Sequence, residues 1–297
     1  MRGARAAGVP HRPPGPTGSP VTVHEEPLAG GNTGVVVRVG DTVRRQAGPW
    51  TPAVHALLDH LETVGFDGAP RALGTDELGR EVASYVEGVA GTLGPQPLAP
   101  EFQTIEACRA IGAWVRAFHD AQAGFAPDPA LPWRVVPGRA LRPGEVVVHH
   151  DVGTYNTVLR PDGSFAVIDF DFASPGAPVE DLAYVLWSWT PLWGESAAVR
   201  REMGAVTMAD RLHKFAAVLD GYAADADLRA QVPDAVLQCM TDHSRTVEEL
   251  AAQGDPAFVR MVADGHAEHP LRDAEWFASR RELFAAAIAP SGVRGSE

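Results

Sequence analysis

Cysteine is scarce in this chain: there are two in 297 residues, Cys108 and Cys239, and neither belongs to a CxxC pair. Each lies in a helix-like apolar pattern. Both read as reduced core thiols, which argues against a disulfide framework or a zinc site. Positive charge is also in short supply, with 25 Lys plus Arg against 38 Asp plus Glu and a formal net charge of −13. That balance argues against nucleic acid or an anionic membrane as a partner and favours cationic ligands through long-range attraction, although an acidic surface that only keeps a chain soluble has the same composition. No stretch is long and apolar enough to span a bilayer. The N-terminal "MRGARAAGVPHRPPGPTGSP" is basic but has no apolar centre, so it is not a secretory signal. Its Pro and Gly density marks residues 1–20 as a disordered leader or an upstream extension of the true start. No internal repeat is found, and the expected compartment is the cytoplasm.

What is present is ordinary globular material, 45% hydrophobic and 21% charged, and enough of it for one large domain or two modest ones. Residues 21–50 hold short β-type runs, and Gly40-Asp41 predicts a hairpin from Val35 to Ala47. In "TPAVHALLDHLETVGF", Thr51 suits an N-cap and Pro52 the first helical position, while Val54, Leu57, Leu58 and Leu61 make one apolar stripe. "APRALGTDELGREVASYVEG" suggests two further strands. Residues 21–88 therefore read as a small antiparallel sheet carrying one helix. From 89 to 297 the texture changes. A Pro- and Gly-rich connector precedes a core helix with Ile105, Cys108, Ile111, Val115 and Phe118 at helical spacing. Two strand-like pieces, "VVVHHD" and "SFAVIDFDFA", flank the turn Pro161-Asp162-Gly163. Beyond residue 180 the pattern is helical, with breaks expected at Pro233, Pro256 and Pro270.

The chemistry concentrates around those two pieces. Asp151 and Asn156 stand five apart in a loop after an apolar strand, and Asp169 and Asp171 follow a second one. Two strands joined by a tight turn bring both polar ends to one edge, where oxygen donors converge. Such donors suit Mg²⁺, which takes one or two carboxylates and completes its shell with water and phosphate oxygens. A separate carboxylate can accept a proton from an attacking hydroxyl. Phosphoryl transfer needs this equipment, because it depends on positioning and charge neutralisation.

"HHDVGTYN" resembles the catalytic loop of the aminoglycoside phosphotransferase family, normally H-G-D-x-x-x-x-N, with His150 in place of the glycine. "VIDFDFA" resembles that family's form of the kinase D-F-G segment. The resemblance implies an α+β, two-lobed, protein-kinase-like fold: a small antiparallel-sheet N-lobe over a larger, mainly helical C-lobe. It implies ATP and Mg²⁺ as cofactors. Asp151 would be the catalytic base, with His149 stabilising its loop, and Asn156 and Asp169 would hold the metal, with Asp171 a further candidate. Asp181, in "PVEDLAYVLW", would brace the loop through its backbone. "LAGGNTGVVVRV" would be the nucleotide-binding hairpin, in which Gly30, Gly31 and Asn32 let backbone amides approach the phosphates. The strand lysine has no lysine counterpart, and Arg44 or Arg45 stands in its place. The helix glutamate is missing too: its position holds Val54, with His55 beside it, so the usual ion pair is not expected. "VASYVEG" resembles the hinge, where backbone groups of Ser84 and Val86 would meet adenine.

The implied activity is transfer of a γ-phosphoryl group to a hydroxyl of a small polyhydroxylated, aminoglycoside-like molecule; other antibiotics, sugars and amino alcohols are acceptors elsewhere in the family. The alternatives are a non-catalytic, pseudokinase-like nucleotide-binding regulatory protein and an HD-type phosphohydrolase. The last carries its His-Asp pair on helices, whereas this pair follows "VVV". Asp242, Glu248 and Glu249 read either as receivers of substrate ammonium groups or as a solvated helix face. Trp187, Trp189 and Trp193 read as core.

Overall fold

The computed structural model describes residues 24–28, 35–91, 98–192 and 206–289. Strand β1 (Glu26–Pro27) pairs with β2 (Val37–Val39), and Gly40, at φ 60°, turns β2 into β3 (Thr42–Gln46). A side chain at that φ costs energy that glycine avoids. Helix α1 (Thr51–Thr63) follows. It starts at Thr51, one residue earlier than expected, so Trp50 is the cap and the Thr51 hydroxyl instead accepts from the Gly48 amide at 3.0 Å. Strands β4 (Ala72–Thr75) and β5 (Arg80–Ser84) complete an antiparallel sheet of order β1-β2-β3-β5-β4. Val54, Leu57, Leu58 and Leu61 of α1 are all buried.

Strand β6 (Val89–Ala90) leads to helix α2 (Ile105–Asp120), which is capped by Thr104 accepting from the Ala107 amide at 3.0 Å. Cys108, Ile111, Val115 and Phe118 are fully buried, whereas Ile105, expected in the same stripe, is 37% exposed at the helix start. Then come β7 (Val146–Val148), β8 (Thr157–Leu159), β9 (Phe165–Val167) and β10 (Ser174–Gly176). The Pro161-Asp162-Gly163 turn joins β8 to β9, not β7 to β9 as the sequence suggested, and β7 pairs with β10. Three residues of strand directly after Asn156 account for the difference, since they reach the turn first. β6 adds to β8, tying the end of the first sheet to the second lobe.

The remaining described elements are helices: α3 (Pro178–Trp189), α4 (Met208–Tyr222), α5 (Ala226–Ala252), α6 (Pro256–Ala263), α7 (His269–Ala278) and α8 (Arg281–Ile288). Pro256 and Pro270 sit in the first turns of their helices, where no amide is needed. Pro233 does not break the chain as expected but lies inside α5. Its lost hydrogen bond is outweighed by burial, with Val232, Pro233, Val236 and Met240 all in the core. Among the described residues no helix is long and apolar enough to cross a membrane. Residues 1–20 and Trp193 lie outside the described residues.

Candidate active site

The loop after β7 is held from below. Asp181, in the first turn of α3, accepts from the His149 amide at 2.9 and 3.0 Å and from the His150 amide at 2.9 Å. Its Oδ2 lies 3.0 Å from His119 Nε2 on α2, and His119 Nδ1 lies 3.1 Å from the Tyr222 hydroxyl on α4. Burial opposes the charge on Asp181, but the His119 hydrogen bond prevails and its carboxyl sits below the usual range. His150 has φ 62°, the left-handed region that suits the glycine it replaces. Two bonds secure that conformation: its amide to Asp181 and its Nε2, 2.9 Å from the Ser174 hydroxyl.

His149 is fully buried, and its ring packs on Phe170 with centroids 4.4 Å apart. Its Nε2 donates to the Ile168 carbonyl at 3.2 Å and its Nδ1 accepts from the Asp151 amide at 3.3 Å. Burial pushes the imidazole pKa down. A neutral ring with both nitrogens spent stitches the loop to the end of β9 and has no proton to give.

Asp151 is clamped. Its Oδ1 accepts from the Tyr155 hydroxyl and, at 2.6 Å, from the Tyr184 hydroxyl, while its Oδ2 accepts from Asn156 Nδ2 at 2.9 Å. Burial pushes its carboxyl up to about 7; the two phenols and Asn156 hold it down, and the nearby Asp169 charge adds to the rise. The Ile168 amide donates to the Asn156 carbonyl at 2.8 Å, so the loop and the end of β9 lie side by side. Asp169 follows with φ 65°, the turn that swings its carboxylate away from the strand.

Facing it from the first sheet is Arg45. Its Nε donates to Glu81, its Nη1 to Asp169 Oδ1 at 2.5 Å, and its Nη2 lies 2.8 Å from Asp171 Oδ1. Burial opposes its charge, but Asp169, Asp171 and Glu81 keep it firmly protonated. Arg44 points to the other face, as strand alternation requires, and bonds Thr42 Oγ1 at 2.6 Å. The usual ion pair to the helix is absent, as expected, but Arg45 finds another carboxylate. This one comes from β5 rather than from α1, because Arg45 and Glu81 are paired directly across the sheet. Burial works against the Glu81 charge, yet the His55 hydrogen bond and Arg45 keep its carboxyl pKa low. Asp171, read as a candidate metal ligand, is engaged at both oxygens by guanidinium groups: Arg45, and Arg134 at 3.4 Å. Burial pushes its carboxyl up to about 6.

These groups line one cavity of about 1790 Å³ between the lobes; Arg45, Glu81, Ser84, Val86, Asp151, Asn156, Asp169 and Asp171 are among its walls. Ser84 spends its amide on the Arg71 carbonyl at 3.0 Å, so that group is not available to a ligand. Gly30, Gly31 and Asn32 lie outside the described residues. Asp242 and Glu249 also face the cavity. Trp187 is buried in the core, as expected, and also lines the cavity, and Trp189 is packed inside against Phe102 and Phe165. Tyr155, Tyr184, Glu81 and Arg134 were not singled out in the sequence. Tyr155 and Tyr184 lay inside quoted motifs, "HHDVGTYN" and "PVEDLAYVLW", without being read as site residues.

The two-lobed architecture is that of the kinase-like phosphotransferases. A choline/ethanolamine kinase family protein from Mesorhizobium loti matches with a TM-score of 0.57 at 19% identity, over 91% of this chain and 94% of that one. An amicoumacin kinase in complex with AMP-PNP and Ca²⁺ also matches at 0.57, with 12% identity over 90% of each chain. The model of the phosphotransferase enzyme family matches residues 136–212. The trifolitoxin immunity protein of Rhizobium leguminosarum bv. trifolii is 34% identical over 272 residues, 88% of this chain and 98% of that protein. The chain belongs to the phosphotransferase enzyme family.

Proposed function

We propose that this protein transfers the γ-phosphoryl group of ATP to a hydroxyl of a small molecule, with Asp151 as the base. The observation that carries this reading is the gathering of Asp151, Asn156, Asp169 and Arg45 on one interlobe cavity large enough for a nucleotide and a second ligand. The donor set fits a magnesium–triphosphate. Among the described residues no three His, Cys, Asp or Glu side chains form a metal site unaided, but Mg²⁺ needs only one or two protein ligands when phosphate oxygens complete its shell. Asp169 and the side-chain oxygen of Asn156 would hold it. When bound, the ion supplies charge neutralisation to the phosphates.

The chain's own residues do the rest. Arg45 offers a planar fork suited to phosphate oxygens. Asn156, tied by Nδ2 to Asp151, keeps that carboxylate in register with the metal ligands. Asp151 Oδ2 orients the acceptor hydroxyl and takes its proton, and a carboxyl lifted to about 7 is a better base near neutrality than an ordinary one. Ser84 and Val86 line the part of the cavity that would receive the adenine, with the Ser84 amide already spent on Arg71. On the acceptor side, Asp242 and Glu249 with the net charge of −13 support an amine-bearing, hydroxylated acceptor. The name of the relative, an immunity protein, supports an antibiotic-type molecule as that acceptor.

The test is ATP consumption across a panel of hydroxylated compounds, with Asp151→Ala and Asp169→Ala as controls. Each substitution is expected to lower turnover by about a hundredfold or more, the scale of losing one electrostatic catalytic group. Near-normal turnover in both variants would overturn the assignment. Mg-ATP binding with no turnover on any acceptor would favour a regulatory role.

A further inference from the structure

We propose that Glu81, anchored by His55, positions the Arg45 guanidinium for the nucleotide's phosphates and so replaces the helix carboxylate this chain lacks. The proposal rests on the nucleotide reading above. Its geometry is independent of any ligand. Glu81 lies directly opposite Arg45 in the β3–β5 register and is only 2% exposed. Paired residues on one face of an antiparallel sheet have adjacent Cβ atoms, so the contact is set by the backbone and not by a flexible reach. A buried carboxylate needs partners for both oxygens. Here Oε2 takes Arg45 Nε, and Oε1 lies 3.1 Å from His55 Nε2.

The consequence for Arg45 is directional. Its Nε edge is spent on Glu81, which turns Nη1 and Nη2 towards Asp169 and Asp171 at the cavity wall. A lysine has one ammonium and no such second edge, so the division of labour needs arginine. The two departures from the family pattern are then one compensated change. Val54 is buried at 1% exposure and carries no acid into the site, while His55 reaches the strand carboxylate from the same helix. A glutamate in place of His55 would face Glu81 with like charge, so the strand acid disfavours an acid at that helix position. Glu81 does not touch the reacting atoms in this scheme and is a positioning residue.

The experiment measures binding by calorimetry with two probes, Mg²⁺–AMP-PNP and adenosine, on the full chain. Wild type, Arg45→Gln, Glu81→Gln and the double variant are compared, with far-ultraviolet circular dichroism as the folding control. Glu81→Gln is expected to weaken AMP-PNP by about tenfold, the scale of one charge-assisted hydrogen bond. Adenosine, which has no phosphates, should bind as it does to wild type. The double variant should bind AMP-PNP about as weakly as Arg45→Gln alone, because Glu81 acts through Arg45. Unchanged AMP-PNP affinity in Glu81→Gln, an equal loss for adenosine, or multiplied losses in the double variant would each overturn the proposal. If Glu81→Gln does not fold, His55→Ala serves in its place. A phosphate-specific loss of about threefold is then expected, half of one such bond, and wild-type affinity overturns the idea. Wild type binding neither probe would instead bring down the nucleotide reading, and this inference with it.

Discussion

At the scale of one residue, the clamped carboxyl of Asp151 carries a cost in stability. Its folded carboxyl is pushed up to about 7, whereas an unfolded aspartate titrates near 3.9. Between those values the folded chain binds more protons than the unfolded one, so the wild type loses stability as pH climbs from about 4 to about 7. Asparagine does not titrate. Asp151→Asn should therefore melt higher than wild type, with a gap that widens across that window and levels off above it, while turnover is lost. Thermal denaturation at half-unit pH steps checks this, and a pH-independent gap would contradict it. Asp151, Asn156 and Asp169 were legible in the sequence because their spacing is local. Tyr184 and Glu81 were not, for they arrive from α3 and β5 through packing, and a tyrosine on a buried helix looks like core. His150 was noticed only as a departure, since its φ of 62° is a backbone property.

Elements meet most tightly where α2 crosses α4. A Cβ on Gly112 would lie 2.0 Å from the Val218 carbonyl oxygen, and one on Gly221 would lie 1.9 Å from that of Arg109. The two glycines face opposite helices, so the contact is reciprocal and neither side can give way by a rotamer change. Gly112→Ala must push the helices apart and should cost about 1–3 kcal/mol, the usual range for overpacking. Chemical denaturation reads the loss, and a neutral or stabilising result would mean the crossing can relax. Because α2 carries His119, the ring that supports Asp181, the same variant should also loosen the loop at His149 and His150. The apolar stripe of α2 was plain in the sequence, with Cys108, Ile111, Val115 and Phe118 all buried. The glycines that set its partner were silent, because periodicity reports which face is buried and not what covers it. Strand pairing failed for a related reason: β7 could be recognised by composition, but its partner β10 lies beyond the Asp169 turn.

At the scale of the molecule, a chain of charges ties the first sheet to the C-terminal helices: Glu81 to Arg45, Arg45 to Asp171, Asp171 to Arg134, and Arg134 to Asp255 at the start of α6. This connection could not be read from the sequence. Arg134 stands in an unremarked "PWRVV", and its surroundings come from positions 50, 172 and 258. Its guanidinium lies 4.5 Å from the Trp50 ring centroid, 4.9 Å from Phe172 and 5.3 Å from Phe258, and its side chain is 6% exposed. A cation so enclosed is stabilised by the ring faces as well as by the carboxylates. Removing it leaves Asp171, 13% exposed, with one guanidinium in place of two, and because Arg45 stays in place the loss should be about 1.5–3 kcal/mol, the scale of one hydrogen bond to a charged group. Arg134→Met keeps the volume and the apolar contacts, so the loss it shows belongs to the charge. Pairing it with Asp171→Asn removes the stranded carboxylate and should recover part of that loss, a coupling that a denaturant-based double-mutant cycle measures directly. Purely additive losses would show that Arg134 and Asp171 do not stabilise each other. A positive coupling would mean that the arginine holding Asp171 also holds the segment carrying Asp169 against the rest of the protein.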